Sequence, residues 1–99
     1  MKTSTRYALE YARHLIDKRG WMQGGFSNLH GYCVTGACIQ ATGRITSWYS
    51  DLFDELAKHL EGDLDDNLSS WSHLVRFNDH EERTKEEVLG LIDKTLEAA

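Results

Sequence analysis

The chain has 99 residues, 40% hydrophobic and 27% charged, with a formal net charge of −5 and a pI near 5.4. That length makes a single domain, residues 1–99, with one modest core. The acidity excludes a basic nucleic-acid binder, and no run of about 18 apolar residues exists to span a membrane.

The first element in chain order is a helix over Thr5–Arg19. Tyr7, Ala8, Tyr11, Ala12, Leu15 and Ile16 repeat at helical spacing, opposite Arg6, Glu10, Arg13 and Asp17. Lys18 and Arg19 suit the negative end of its dipole, and Gly20 stands where a C-terminal cap belongs. Trp21 to Gly31 reads as a loop, with Gly24-Gly25 free to turn or to approach another group closely. A short buried helix over Tyr32–Thr42 follows, closed by Gly43, with Val34, Ala37, Cys38 and Ala41 as a stripe of small residues. Gly36 inside it costs about 1 kcal/mol of helix propensity, which is tolerable where another backbone comes near. Thr46 is the expected cap of a third helix reaching about Glu61, with a wide stripe of Trp48, Tyr49, Leu52, Phe53, Leu56, Ala57 and Leu60.

Asp63 to Ser70 is an acidic connector. Trp71, Leu74, Val75 and Phe77 then lead to a polar corner at Phe77-Asn78-Asp79-His80. The last helix opens with Thr84 and Glu87 in capping-box spacing and carries Val88, Leu91, Ile92 and Leu96 on one stripe. Period-2 alternation is too short anywhere for a sheet, so the expected fold is all-α, a bundle of about four helices with a Gly-rich loop after the first.

Charge is uneven along the chain. Residues 1–50 carry six Lys and Arg against two acids; residues 51–99 carry five against fourteen. Solvated helix faces account for this, and the acidic half also suits a basic partner. The two cysteines, in a chain whose start lacks the apolar segment of an export signal, are expected to be thiols in a cytoplasmic protein.

Three chemistries are open to these residues. Cys33, placed in the first turn of its helix, would be a nucleophile if His30 or His80 served as base and Asn78 or Asp79 as orienter, although small buried cysteines usually only pack. His30, Cys33, Cys38 and His80 offer metal-type ligands, but Cys33 and Cys38 fall on different helix faces and no second closely spaced pair follows, so no metal is expected. A calcium loop starting at Asp63 fails, with Leu68 where glycine is needed and Leu74 where glutamate is needed. The third chemistry is binding: Trp21, Gln23 and Tyr32 with Phe77, Asn78 and Asp79 supply aromatic walls, donors and acceptors. The plain alternative is that Asn78 and Asp79 only form a turn or cap the last helix.

The segments Trp21-Met22-Gln23-Gly24, Tyr32-Cys33-Val34-Thr35-Gly36-Ala37 and Phe77-Asn78-Asp79 with Arg83-Thr84-x-x-Glu87-Val88 together resemble a small uncharacterised family of actinobacteria and their phages. Its members read W-C-Q-G, Y-C-x-x-G-A and W-N-D-x-x-x-R-T-x-x-E-V in that order. Met22 stands here for a cysteine, which argues against paired thiols at positions 22 and 33, and Phe77 stands for a tryptophan. The resemblance implies a source and a candidate site, and no reaction.

The expected function is therefore a non-enzymatic binding protein, a phage or prophage accessory factor that binds a host protein or a small ligand. No cofactor, nucleic acid or membrane is involved in this reading. The expected binding residues are Trp21, Gln23, Tyr32, Cys33, Asn78 and Asp79, brought together at one end of the bundle. The alternative is a small thiol-dependent enzyme with Cys33 as nucleophile, assisted by His80 and Asn78.

Overall fold

The structure, a computed structural model, describes residues 1–62 and 64–98. Asp63, at the head of the acidic connector and of the rejected calcium loop, lies outside the described residues, as does Ala99. The elements are α1 (Thr3–Arg19), β1 (Ser27–Asn28), β2 (Gly31–Tyr32), α2 (Val34–Ala41), α3 (Thr46–Ala57), α4 (Ser70–Asp79) and α5 (Lys85–Glu97). The fold is mostly helical, as the periodicity implies, with one helix more than expected and a small antiparallel hairpin.

Helix α1 buries Thr5, Ala8, Leu9, Ala12, Leu15 and Ile16. Tyr7 and Tyr11, expected on that stripe, are exposed, Tyr7 to 65%. The buried face is centred about one residue further round, on Leu9, so the two rings flank it. Gly20 ends the helix at φ 105, and its N–H donates to the Ile16 carbonyl.

The Gly-rich loop is less irregular than its composition implies. Ser27 pairs with Tyr32 and Asn28 with Gly31. Asn28 Oδ1 accepts the His30 N–H at 2.7 Å, an Asx turn that closes the hairpin. Tyr32 is thus a strand residue, and helix α2 starts only at Val34. Cys33 is extended (φ −79, ψ 171) and sits at the N-cap, outside the first turn, where its Sγ accepts the Gly36 N–H at 3.2 Å. At the far end Gly43 N–H donates to the Gln40 carbonyl and Arg44 N–H to the Ile39 carbonyl, a Schellman arrangement around Gly43 at φ 60.

Ile45 holds the N-cap position of helix α3 with no side-chain cap, and the Thr46 hydroxyl, expected to cap it, instead lies 3.3 Å from the Tyr49 hydroxyl. It ends at Ala57, short of Glu61, because the chain tightens: His59 N–H donates to the Leu56 carbonyl and Leu60 N–H to Ala57. Helix α4 is the unexpected element. The Ser69 hydroxyl caps it by accepting the Ser72 N–H at 3.1 Å, and it buries Leu74 and Asn78. Helix α5 carries the full capping box, with Glu87 N–H donating to Thr84 Oγ1 and Thr84 N–H donating to Glu87 Oε1. It buries Val88, Leu91, Ile92 and Thr95.

All five helices contribute to one hydrophobic cluster. Helix α1 packs on α2 and α5, and α3 packs on α4 and α2. Arg13 forks onto Asp93, Arg6 donates to the Leu96 carbonyl and Lys85 to the Asp17 carbonyl, tying α5 along α1. No helix among the described residues is long and apolar enough to cross a membrane.

Candidate functional site

Asn78 is the polar residue around which the predicted site residues gather. It lies on the buried stripe of α4, one turn after Leu74, and is 1% exposed. Its Oδ1 accepts the Trp21 indole N–H at 2.8 Å and the Val34 backbone N–H at 3.0 Å. Its Nδ2 donates to the Met22 carbonyl and to Asp79 Oδ1, both at 3.0 Å. Both lone pairs and both amide protons are therefore used. The orientation of the amide is fixed as well, because one side faces only donors and the other only acceptors.

The Val34 N–H belongs to the first turn of α2 and has no acceptor within its own helix. Asn78 supplies that acceptor from 44 residues away, while Cys33 Sγ serves the Gly36 N–H. Asn78 thus caps α2, whereas the sequence suggested that Asn78 and Asp79 cap the last helix. The last helix is capped by Thr84, as its spacing to Glu87 predicts, and Asn78 and Asp79 form the last turn of α4.

The loop after α1 is stitched to the end of α4. Gln23 Nε2 donates to the carbonyls of Asn78 (2.9 Å) and His80 (2.7 Å), which satisfies orphan acceptors of the helix terminus. The Gly24 N–H donates to Asp79 Oδ1 at 3.1 Å. Gln23 is thus a donor, as the sequence implies, and its acceptors are backbone carbonyls. Tyr32 joins the cluster through its backbone, accepting the Met22 N–H at 3.1 Å and donating its own N–H to the Gly20 carbonyl at 3.0 Å. It also lines a separate open cavity with Ile39, Gln40, Arg44 and Tyr49. Arg83 backs the corner: its guanidinium lies 3.9 Å over the Phe77 ring, and its Nε donates to the Phe77 carbonyl.

Beside this network is a cavity of about 230 Å³. Gly24, Gly25, Phe26 and Trp71 line it together with Val75, Cys33, Thr35, Asn78 and Asp79. The Phe26 and Trp71 rings, 50% and 42% exposed, lie 6.4 Å apart between centroids and tilted by 41°. Phe26, Thr35, Trp71 and Val75 were not among the expected site residues, since only the presence of α4 places them side by side.

A Cys-His-Asn arrangement is not assembled. Cys33 is 4% exposed, and its Sγ is engaged by the Gly36 N–H and, at 3.1 Å, the Thr35 hydroxyl. His80 is exposed and its Nδ1 accepts the Glu82 N–H, while His30 is exposed on the hairpin turn. Neither hydrogen-bonds to Cys33 among the described residues. Cys38 is wholly buried in the core, and burial pushes its thiol pKa up, with the neighbouring Cys33 adding to the shift. Among the described residues no group of three or more His, Cys, Asp or Glu is placed to hold a metal ion.

A family model covers residues 1–98. The chain belongs to a family of unknown function (DUF6197). No curated protein and no solved structure matches it. Membership agrees with the resemblance to an uncharacterised family, and the structure shows where the three segments of this chain that carry the resemblance lie within the fold. Trp21 to Gly24 and Tyr32 to Ala37 meet on Asn78, and Arg83 and Glu87 hold the chain that leaves it.

Proposed function

We propose that this protein is a non-enzymatic binding protein that seats a side chain of a partner protein in the cavity beside Asn78. We take it for a phage or prophage accessory factor of actinobacteria acting on a host protein. One observation carries the reading: a cavity sized for one side chain, rimmed by two half-exposed aromatic rings, stands on walls fixed by the Asn78 network. Aromatic anchors and pockets of this kind concentrate binding energy at protein interfaces. The thiol that a catalytic reading would need is committed to capping α2.

The test is capture of the host partner, followed by Trp71→Ala and Phe26→Ala. Both rings are exposed enough that stability should change by about 1 kcal/mol or less, whereas affinity should fall about tenfold or more. Unchanged affinity in both folded variants would remove the cavity from the interface.

A further inference from the structure

Resting on that reading of the cavity, we infer that its occupant is basic: the ammonium or guanidinium of a partner lysine or arginine. The lining holds one charged group, Asp79, and no Lys, Arg or His. Asp79 enters no ion pair among the described residues. Its Oδ1 is held in place by the Gly24 N–H and the Asn78 amide, so the carboxylate is pre-positioned by the same network that builds the fold. Such a fixed acceptor gives a charge-assisted hydrogen bond without ordering a mobile side chain.

The aromatic rim agrees with the charge. The tilted Phe26 and Trp71 rings line the cavity, and aromatic rings carry negative π faces that favour a cation over an anion. Basic side chains carry an alkyl stem that needs apolar cover, which Val75 and the two rings supply, and a head that needs an acceptor, which Asp79 supplies. The excess of acids in residues 51–99, the segment that supplies Asp79, Trp71 and Val75, also favours a basic partner. An acidic side chain would meet Asp79 with no cation to offset it, and a neutral one would leave the carboxylate without a counter-charge.

The experiment is an amide-resolved NMR titration of the full chain with n-butylammonium, n-butylguanidinium, n-pentanol and valerate. The cations should shift the Gly24, Gly25 and Cys33 amides and bind about tenfold more tightly than n-pentanol, with valerate weakest. Asp79→Asn keeps an oxygen for the Gly24 N–H and should abolish the preference for cations. If Asp79→Asn proves unstable, Trp71→Leu serves: cation affinity should drop several-fold while n-pentanol binding holds. If n-pentanol binds at these amides as tightly as the cations, the charge assignment is overturned and the cavity reading stands. If no probe moves these amides, both fall.

Discussion

Asn78 shows how much one side chain can carry when the rest of the chain is arranged around it. Its four hydrogen bonds join α4 to the loop after α1 and to the start of α2, at nearly complete burial. Replacing it by alanine leaves the buried Val34 N–H and the Met22 carbonyl without partners, and a cavity besides. Each unsatisfied buried group costs about 1–3 kcal/mol, so Asn78→Ala should lower the unfolding free energy by about 2–4 kcal/mol in urea titration. Asn78→Asp keeps the two acceptor bonds, but it loses the donor to Met22 and sets a second carboxylate beside Asp79. It should therefore be nearly as damaging. A loss below about 0.5 kcal/mol in either variant would mean that the network does not hold the corner. The sequence marks Asn78 as special through its polar neighbours. It does not mark the residue as buried, because nothing in the local pattern distinguishes a turn asparagine from one bonded across 57 residues to Trp21.

At the scale of elements, α1, α2, α3 and α5 announce themselves through apolar spacing and α4 does not. Its buried stripe is Leu74 followed by Asn78, so a polar residue sits where the period calls for an apolar one, and the stretch reads as a run ending in a corner. Ser69 ahead of Trp71 was the available signal, a capping hydroxyl preceding the 71, 74, 75, 78 spacing. The hairpin left no side-chain pattern, since each strand has two residues and the pairing depends on the close approach of the Gly20 and Gly31 backbones. Once α4 is absent from the reading, the cavity is absent too, because Trp71 and Val75 have no face to stand on. Two helical glycines separate packing from propensity. A Cβ on Gly36 would collide with the Phe26 carbonyl, whereas one on Gly90 would meet nothing within 4 Å. Gly36→Ala should therefore destabilise the fold by about 2 kcal/mol or more and displace the loop that carries Phe26. Gly90→Ala should stabilise it by about 1 kcal/mol, as expected for an exposed helix interior. Thermal melts of the two variants must move in opposite directions; melts that move together would contradict the packing described for α2.

For the molecule as a whole, closure depends on α5, the helix that runs along α1 and completes the core. Its start is held by Glu87, which accepts the Thr84 N–H and pairs with Arg83 at 3.0 Å, and Arg83 in turn covers Phe77 at the end of α4. The hydrogen bond from Thr84 is the main reason the Glu87 carboxyl lies below its ordinary value of 4.5, with the charge of Arg83 acting in the same direction. A carboxyl that is more acidic folded than unfolded contributes stability that is fully present above the unfolded value. That contribution is lost as pH falls through the folded value. Glu87→Gln preserves the geometry of the capping box, since glutamine also reaches the N-cap amide, but it removes the charge. At neutral pH the wild type should melt higher than Glu87→Gln. The gap should narrow as pH drops below 4.5 and close once the carboxyl is protonated in both folded and unfolded chains. Because the group is exposed, added salt should also shrink the share that comes from Arg83, while the share from the Thr84 N–H remains. A gap of constant size from neutral to strongly acid pH would assign the effect of the substitution to packing and not to the ionised cap.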